Sequence, residues 1–250
     1  MSVYGIRDAL LEAERVIVLT GAGVSVPSGI PDFRSKGGIW ERYPPEEFGT
    51  VDAFRRDPVG WWAFHRALEA SFAEVVPNPA HEALVRLERA GRLHAVITQN
   101  VDRLHQRAGS TRVLELHGSG ERLRCLDCDE VTPRAALVPA EVPRCARCDA
   151  VLKPDVVLFG EELPRDVLEE ARSLAREADV CLIVGTSAVV YPAAELPELT
   201  FAAGGTLCQL DLEATGLTHR GIVRWFVQGP AEVTLSRVAD LVEAAEGATA

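Results

Sequence analysis

Four cysteines set the strongest constraint on what this chain can fold into. Cys125-Leu-Asp-Cys128 and Cys145-Ala-Arg-Cys148 are two Cys-x-x-Cys knuckles separated by sixteen residues, with His117-Gly118 just ahead of them. Two knuckles at this spacing can present four thiolates to one tetrahedral Zn²⁺. Zn²⁺ has no geometric preference of its own and accepts the shape that paired turns provide. The metal then replaces a hydrophobic core that so short a segment cannot build. No ligand position is left open, so the expected site is one structural zinc per chain, and the chemistry lies elsewhere. Two disulfides are the alternative use of the same cysteines, but disulfides belong to oxidising compartments, and nothing else in the chain points to secretion. Cys181 and Cys208 sit inside apolar runs and read as small core residues.

The rest of the chain alternates short apolar runs with helical patterns. Val16–Thr20, Ala95–Thr98, Val113–Leu116, Val156–Phe159, Val180–Val184 and Leu207–Leu210 read as buried strands. They are apolar throughout rather than every second residue, the pattern of a parallel sheet covered on both faces. Between them, Asn78-Pro79 caps a helix running to Gly91. Leu163, Val167, Ala171, Leu174 and Ala178 mark a helical stripe over Glu161–Ala178, and Ala231–Ala245 reads as a closing helix. This alternation predicts a doubly wound, Rossmann-type α/β sheet. Two insertions interrupt it, 35–76 with three tryptophans and 120–152 with the cysteines. They are expected to pack together as a smaller zinc-binding domain. Residues 1–34, 77–119 and 153–250 then form the discontinuous larger one. The 250 residues and 47% hydrophobic content suffice for both.

Charge narrows the partners. Lys plus Arg number 26 against 37 Asp plus Glu, a net −11, which argues against a phosphate-binding surface and a nucleic-acid partner. Arg122, Arg124, Arg144 and Arg147 cluster around the knuckles, so a zinc-ribbon nucleic-acid adaptor is the alternative class, with the overall charge against it. No apolar run is long enough to span a bilayer, and the N-terminal residues lack the basic-then-apolar pattern of a signal peptide. No membrane partner, a cytoplasmic, reducing setting and a monomer are expected.

Strand ends mark where chemistry is expected. Val16–Thr20 leads into Gly21-Ala-Gly-Val-Ser25, a glycine-rich turn that lets backbone amides approach a pyrophosphate; a tight turn without a ligand is the plainer reading. The third glycine and the terminal acid of a dehydrogenase fingerprint are absent, so a dinucleotide is plausible while hydride transfer is not supported. Thr98-Gln-Asn-Val-Asp102 ends the next strand. Asn100 and Asp102 together offer donor and acceptor groups for an amide, or alternatively an Asx turn opening the following helix. His117 ends a further strand and is a candidate general base. His65, His81, His94 and His219 lack such company and read as structural. Gly185-Thr-Ser187 and Asp211 end two later strands, placed for phosphate or ribose hydroxyls.

Taken in order, these motifs resemble the sirtuin family of NAD-dependent protein deacylases. The resemblance rests on Gly21–Ser25, Gly29-Ile-Pro-Asp-Phe-Arg34, Thr98–Asp102 with Leu104-His105 and Ala108-Gly109, His117-Gly118, the paired knuckles, Phe159-Gly-Glu161, and Gly185–Ser187 with Pro192-Ala-Ala194. It implies transfer of an acyl group from acyl-lysine proteins to ADP-ribose with release of nicotinamide; an NAD-dependent mono-ADP-ribosyltransferase is the alternative. It implies that NAD is held by Gly21, Ala22, Gly23, Ser25, Asp32, Phe33 and Arg34, and that Gln99, Asn100, Val101 and Asp102 line the nicotinamide pocket. Gly185, Thr186, Ser187, Asp211, Leu212, Glu213 and Ala231 would serve the adenosine half. His117 and Asn100 would be catalytic. Val157, Phe159, Gly160, Glu161 and Val190 would bind the acyl-lysine strand. Two departures stand out: Asp211 replaces a common Asn, and the Tyr-x-x-Arg pair of members that prefer dicarboxylate acyl groups is missing from Trp61–Leu68. Arg66 is the cation nearest that role, and acetyl or similar uncharged acyl groups are the expected substrates.

Overall fold

The apolar run Val16–Thr20 is buried along its whole length, and the rest of the molecule is built outward from it. The computed structural model describes residues 2–72, 74–137 and 140–247. In chain order its elements are α1 (Ser2–Glu12), β1 (Val16–Thr20), α2 (Ile39–Arg42), α3 (Pro45–Phe48), α4 (Val51–Arg56), α5 (Pro58–Ser71), α6 (Pro79–Arg89), β2 (Ala95–Thr98), α7 (Leu104–Ala108), β3 (Val113–Glu115), β4 (Gly118–Cys125), β5 (Val131–Pro133) and β6 (Leu152–Val156). They continue with α8 (Arg165–Glu177), β7 (Val180–Val184), α9 (Glu195–Ala202), β8 (Thr206–Asp211), α10 (Gly216–His219), β9 (Val223–Gln228) and α11 (Ala231–Gly247).

Six strands form one sheet in the order β3-β2-β1-β7-β8-β9, every neighbouring pair parallel. That is the doubly wound order of a Rossmann fold, with its switch point between β1 and β7. The apolar strands need cover on both sides, and they receive it. Val16 and Val18 face a layer containing Ile6, Leu10, Leu84 and Leu235 of α1, α6 and α11. Ile17 and Leu19 face Ala171, Ala175 and Leu196 of α8 and α9. The start of α6 follows the sequence signal: the Asn78 side chain accepts the Ala80 amide at 2.9 Å, and Pro79 opens the first turn.

The smaller module is a three-stranded antiparallel sheet, β5-β4-β6, packed on helices α4 and α5. Both insertions share one core, in which Val51, Phe54, Trp61 and Trp62 meet Leu123, Cys125, Cys145 and Leu152. Trp62 is 2% exposed, and its indole N–H donates to the Leu152 carbonyl at 2.8 Å. Among the described residues no helix is long and apolar enough to cross a membrane.

Two expectations are corrected, and one strand had no expectation at all. Val156–Phe159 is not a strand of the large sheet: Val156 ends β6 in the small sheet, and Leu158 turns into the small module's core. The helix expected from Glu161 starts at Arg165, because Pro164 constrains the residue before it away from helical geometry. Leu163 still packs on the core beneath. Finally, β9 carries Arg224 and Gln228 exposed on an edge strand, where mixed polarity hid it.

Replacing Trp62 with Phe removes the indole donor and leaves the Leu152 carbonyl buried without it. The expected loss, read by chemical denaturation, is about 1–3 kcal/mol.

Candidate active site and metal centre

The carboxyl ends of β1, β2, β7 and β8 gather at the switch point. After Thr20 the chain turns sharply, and the Gly23 amide donates to the Gly185 carbonyl at 2.9 Å. The two turns touch backbone to backbone. A Cβ on Gly23 would lie 2.8 Å from that carbonyl, and one on Gly185, whose φ is +57°, would lie 2.4 Å from the Val24 nitrogen. Glycine at both positions is therefore required by the approach itself.

A polar network lines the floor. The Ser25 hydroxyl donates to Asp102 Oδ2 at 2.7 Å, and Asn100 Nδ2 donates to Ser25 Oγ at 3.1 Å. Asp102 Oδ1 accepts the Leu104 amide at 2.9 Å. Asp102 thus makes the Asx turn with one oxygen and takes the Ser25 hydroxyl with the other. Beneath it, His105 Nε2 lies 2.9 Å from Thr20 Oγ1, and Thr20 Oγ1 bonds Thr98 Oγ1 at 2.8 Å. The His81 ring stands 4.9 Å from that of His105. Burial pushes His81 down to about 4, opposed by the Asp102 charge, and pushes His105 down to about 3 with help from the neighbouring His81. His81 does serve as the reciprocal cap of α6, its Nδ1 accepting the Asn78 amide at 3.3 Å. It does not stand alone as expected; only the fold brings it beside His105.

His117 follows β3, and its Nδ1 lies 2.9 Å from the Gln99 carbonyl. A carbonyl only accepts, so Nδ1 carries the hydrogen and Nε2 keeps its lone pair. Burial lowers the His117 pKa, partly opposed by the bond to Gln99. The Gln99 side chain reaches across the switch point and donates to Thr186 Oγ1 at 2.9 Å. Ser187 is exposed beyond it. Asp211 ends β8, and its carboxylate accepts the Leu212 amide at 2.8 Å. The Glu213 carbonyl accepts Gln209 Nε2 at 3.1 Å, and Ala231 is buried at the start of α11.

On the other wall, Asp32 Oδ1 accepts the amides of Arg34 and Ser35 at 2.8 and 2.7 Å. Phe33 and Val101 are each 38% exposed. Trp40 packs 5.1 Å from Phe33 and 6.4 Å from Phe159, so it bridges the 32–34 turn and the 157–161 segment. Sequence reasoning counted Trp40 among the tryptophans of an insertion and assigned it no place at the site. The Val157 amide donates to the His117 carbonyl at 2.8 Å, and Phe159 pairs with Gly49 and Val51. Gly160 is exposed, and Val190 is half-buried between exposed Val189 and Tyr191. The Glu161 carboxylate turns inward to Lys153. Arg66 donates to the Glu141 carbonyl, a bond that occupies it.

The cysteines form one cluster, their four sulfurs within 4.8 Å of one another. Cys125–Cys148 and Cys128–Cys145 are separated by 3.4 and 3.6 Å. A disulfide needs about 2.05 Å, whereas a tetrahedron with 2.3 Å Zn–S bonds has edges of about 3.8 Å. The donor set fits Zn²⁺ and does not form the alternative disulfides.

A doubly wound nucleotide-type fold, with a glycine-lined switch point, a main-chain-anchored histidine and a four-cysteine module, defines a narrow class. Residues 21–192 match the profile of the Sir2 family. An NAD-dependent protein deacylase of Thermococcus kodakarensis is 47% identical over 244 residues, covering 93% of this chain and 94% of that one. A crystal structure of a Sir2 homologue in complex with NAD superposes with a TM-score of 0.88 at 40% identity, over 97% of this chain and 94% of that one. A Sir2 structure with a deacetylated p53 peptide and 3′-O-acetyl-ADP-ribose superposes at 0.87 and 38% identity, over 96% and 98% of the chains. The chain belongs to the Sir2 family.

Substituting Cys125 with Ser is expected to drop metal content well below one zinc per chain, read by elemental mass spectrometry, and to lower the thermal midpoint in parallel.

Proposed function

We propose that the protein is an NAD-dependent protein lysine deacetylase that transfers the acyl group from acyl-lysine to ADP-ribose and releases nicotinamide. The observation that carries this reading is the meeting of His117 with the Gln99–Asp102 loop and the two glycine turns at one switch point. The NAD and acetyl-ADP-ribose complexes of similar proteins support it.

When bound, NAD supplies a cationic nicotinamide leaving group and a ribose whose 2′-oxygen accepts the acyl group. The chain supplies the surroundings. Gly21, Ala22, Gly23 and Ser25, with Asp32, Phe33 and Arg34, hold its central part. Gln99, Asn100, Val101 and Asp102 form the nicotinamide pocket, where Asn100 and Asp102 are oriented by the shared bond to Ser25. Gly185, Thr186, Ser187, Asp211, Leu212, Glu213 and Ala231 hold the adenosine half; a carboxylate at 211 can accept from ribose hydroxyls. His117 Nε2 is the general base that takes the proton from the ribose hydroxyls, a role suited to an imidazole kept neutral by burial. The acyl-lysine peptide adds as a strand between the 157–161 and 189–192 segments, through Val157, Phe159, Gly160, Glu161 and Val190. The zinc is structural. Residues 35–76 and 120–152 make the small domain, the remainder the cofactor domain, and the shared core of the two insertions supports that division. The segment 61–68 lacks a fixed cation for a dicarboxylate tail, and Arg66 is engaged elsewhere, which favours acetyl and other uncharged acyl groups. The enzyme works as a cytoplasmic monomer.

Mass spectrometry of an acetyl-lysine peptide incubated with and without NAD tests the reading. NAD-dependent deacetylation with O-acetyl-ADP-ribose formation is the expected result. NAD consumption with ADP-ribose left on protein would replace it with ADP-ribosyl transfer. Replacing His117 with Ala is expected to cut turnover by roughly 10²–10⁴-fold while NAD binding persists. In the wild type, activity should fall with acid only below the ordinary histidine value of 6.5, since burial lowers the pKa of His117 and its base form survives further into acid.

A further inference from the structure

Lys153 is one of two lysines in the chain, the other being Lys36. It is 1% exposed, yet it takes no part in the chemistry described above. Its ammonium has three donors and meets three acceptors: Glu161 Oε2 at 3.0 Å, the Val156 carbonyl at 2.6 Å and the Pro154 carbonyl at 3.0 Å. A neutral amine has one hydrogen fewer, so the set matches the charged form. Glu161 Oε2 also accepts the Leu158 amide at 2.8 Å. The ion pair therefore links the start of β6 to the far end of the 157–161 segment.

That segment is pinned residue by residue. Val157 donates to the His117 carbonyl, Phe159 exchanges bonds with Gly49 and Val51, and the Glu161 amide donates to the Leu158 carbonyl at 3.0 Å. Gly160 is the exception. It is exposed, has φ +92°, and its amide and carbonyl take no hydrogen-bond partner among the described residues. Val157, Leu158, Phe159 and Glu161 are each tied by at least one such bond, whereas among the described residues both main-chain groups of Gly160 stay unpaired and open to an incoming strand. The Glu161 carboxylate is already satisfied by Lys153 and Leu158, so its side chain serves the loop rather than the peptide.

We infer that the buried Lys153–Glu161 pair is a positioning device that aims the main chain at Gly160 towards the acyl-lysine peptide and holds that edge in register with His117. This rests on the deacetylase reading. Breaking the pair releases the far end of the segment while the bonds of Val157 and Phe159 remain. Peptide affinity falls, and the switch-point pocket, built on β1, β2, β7 and β8, keeps its geometry.

The test compares Lys153→Met, Lys153→Arg and Glu161→Gln by steady-state kinetics, varying peptide and NAD separately, with zinc content and anisotropy titration of a fluorescent acetyl-lysine peptide. Lys153→Met and Glu161→Gln are expected to raise the peptide KM and Kd about tenfold or more, since small misplacements cost large factors. The NAD KM should stay within about twofold, the pattern of lost peptide binding alone. Lys153→Arg, which keeps a cation for Glu161, should recover most of the loss. The double variant should be no worse than the poorer single one, as for two members of one interaction. Unchanged peptide KM in zinc-loaded Lys153→Met overturns the proposal. So does a joint rise of both KM values with zinc loss, or failure of Lys153→Arg to recover, because each marks a merely structural pair. Absence of NAD-dependent deacetylation in the wild type would overturn the functional reading instead, and the anisotropy titration would still decide the role of the pair.

Discussion

The backbone-to-backbone contact between the turns after β1 and β7 is the constraint on which the site depends. No side chain separates Gly23 from Gly185, and their hydrogen bond carries the β1–β7 pairing on into the two turns. The approach of the two turns is set by main-chain atoms and leaves no room for a Cβ on either glycine. Ser25, Gln99 and Thr186 then have defined distances to span, and their bonds at 2.7–3.1 Å show that they span them. The polar floor follows from the contact above it.

The small module stands on a different balance. Ion pairs connect its two insertions, including Arg134 with Glu69, but both partners are more than a third exposed, and such pairs contribute about 0–1 kcal/mol each. The buried tryptophans count for more, since an aromatic side chain in a core contributes about 3–5 kcal/mol. Cys125 and Cys145 belong to that same core. A metal held by the four cysteines would therefore be joined through one core to helices α4 and α5.

Much of this was legible in the sequence, for identifiable reasons. The buried strands announced themselves because both faces of a doubly wound sheet are covered, which leaves continuous apolar runs. The cysteines announced themselves because metal ligands need fixed local spacing. Val156–Phe159 misled because the same apolarity serves a segment lodged between two bodies, where Leu158 enters one core and Phe159 stays at the surface. The company of His81 and the bridging of Trp40 were invisible because both depend on contacts between residues far apart in the chain: His81 with His105, and Trp40 with Phe159. The inward turn of Glu161 was hidden likewise, since an acid beside a glycine reads as exposed until its lysine is found.

The hydrogen bond that sets the tautomer of His117 ends on a main-chain carbonyl. A carbonyl belongs to every residue type, so the identity of residue 99 has no bearing on which ring nitrogen carries the hydrogen. The Gln99 side chain is spent on Thr186 instead. One position thus carries two separable assignments, one written in backbone and insensitive to substitution, the other written in side chain and open to it. Variation in this side chain can alter the contact with Thr186 over evolutionary time without ever putting the tautomer of His117 at risk.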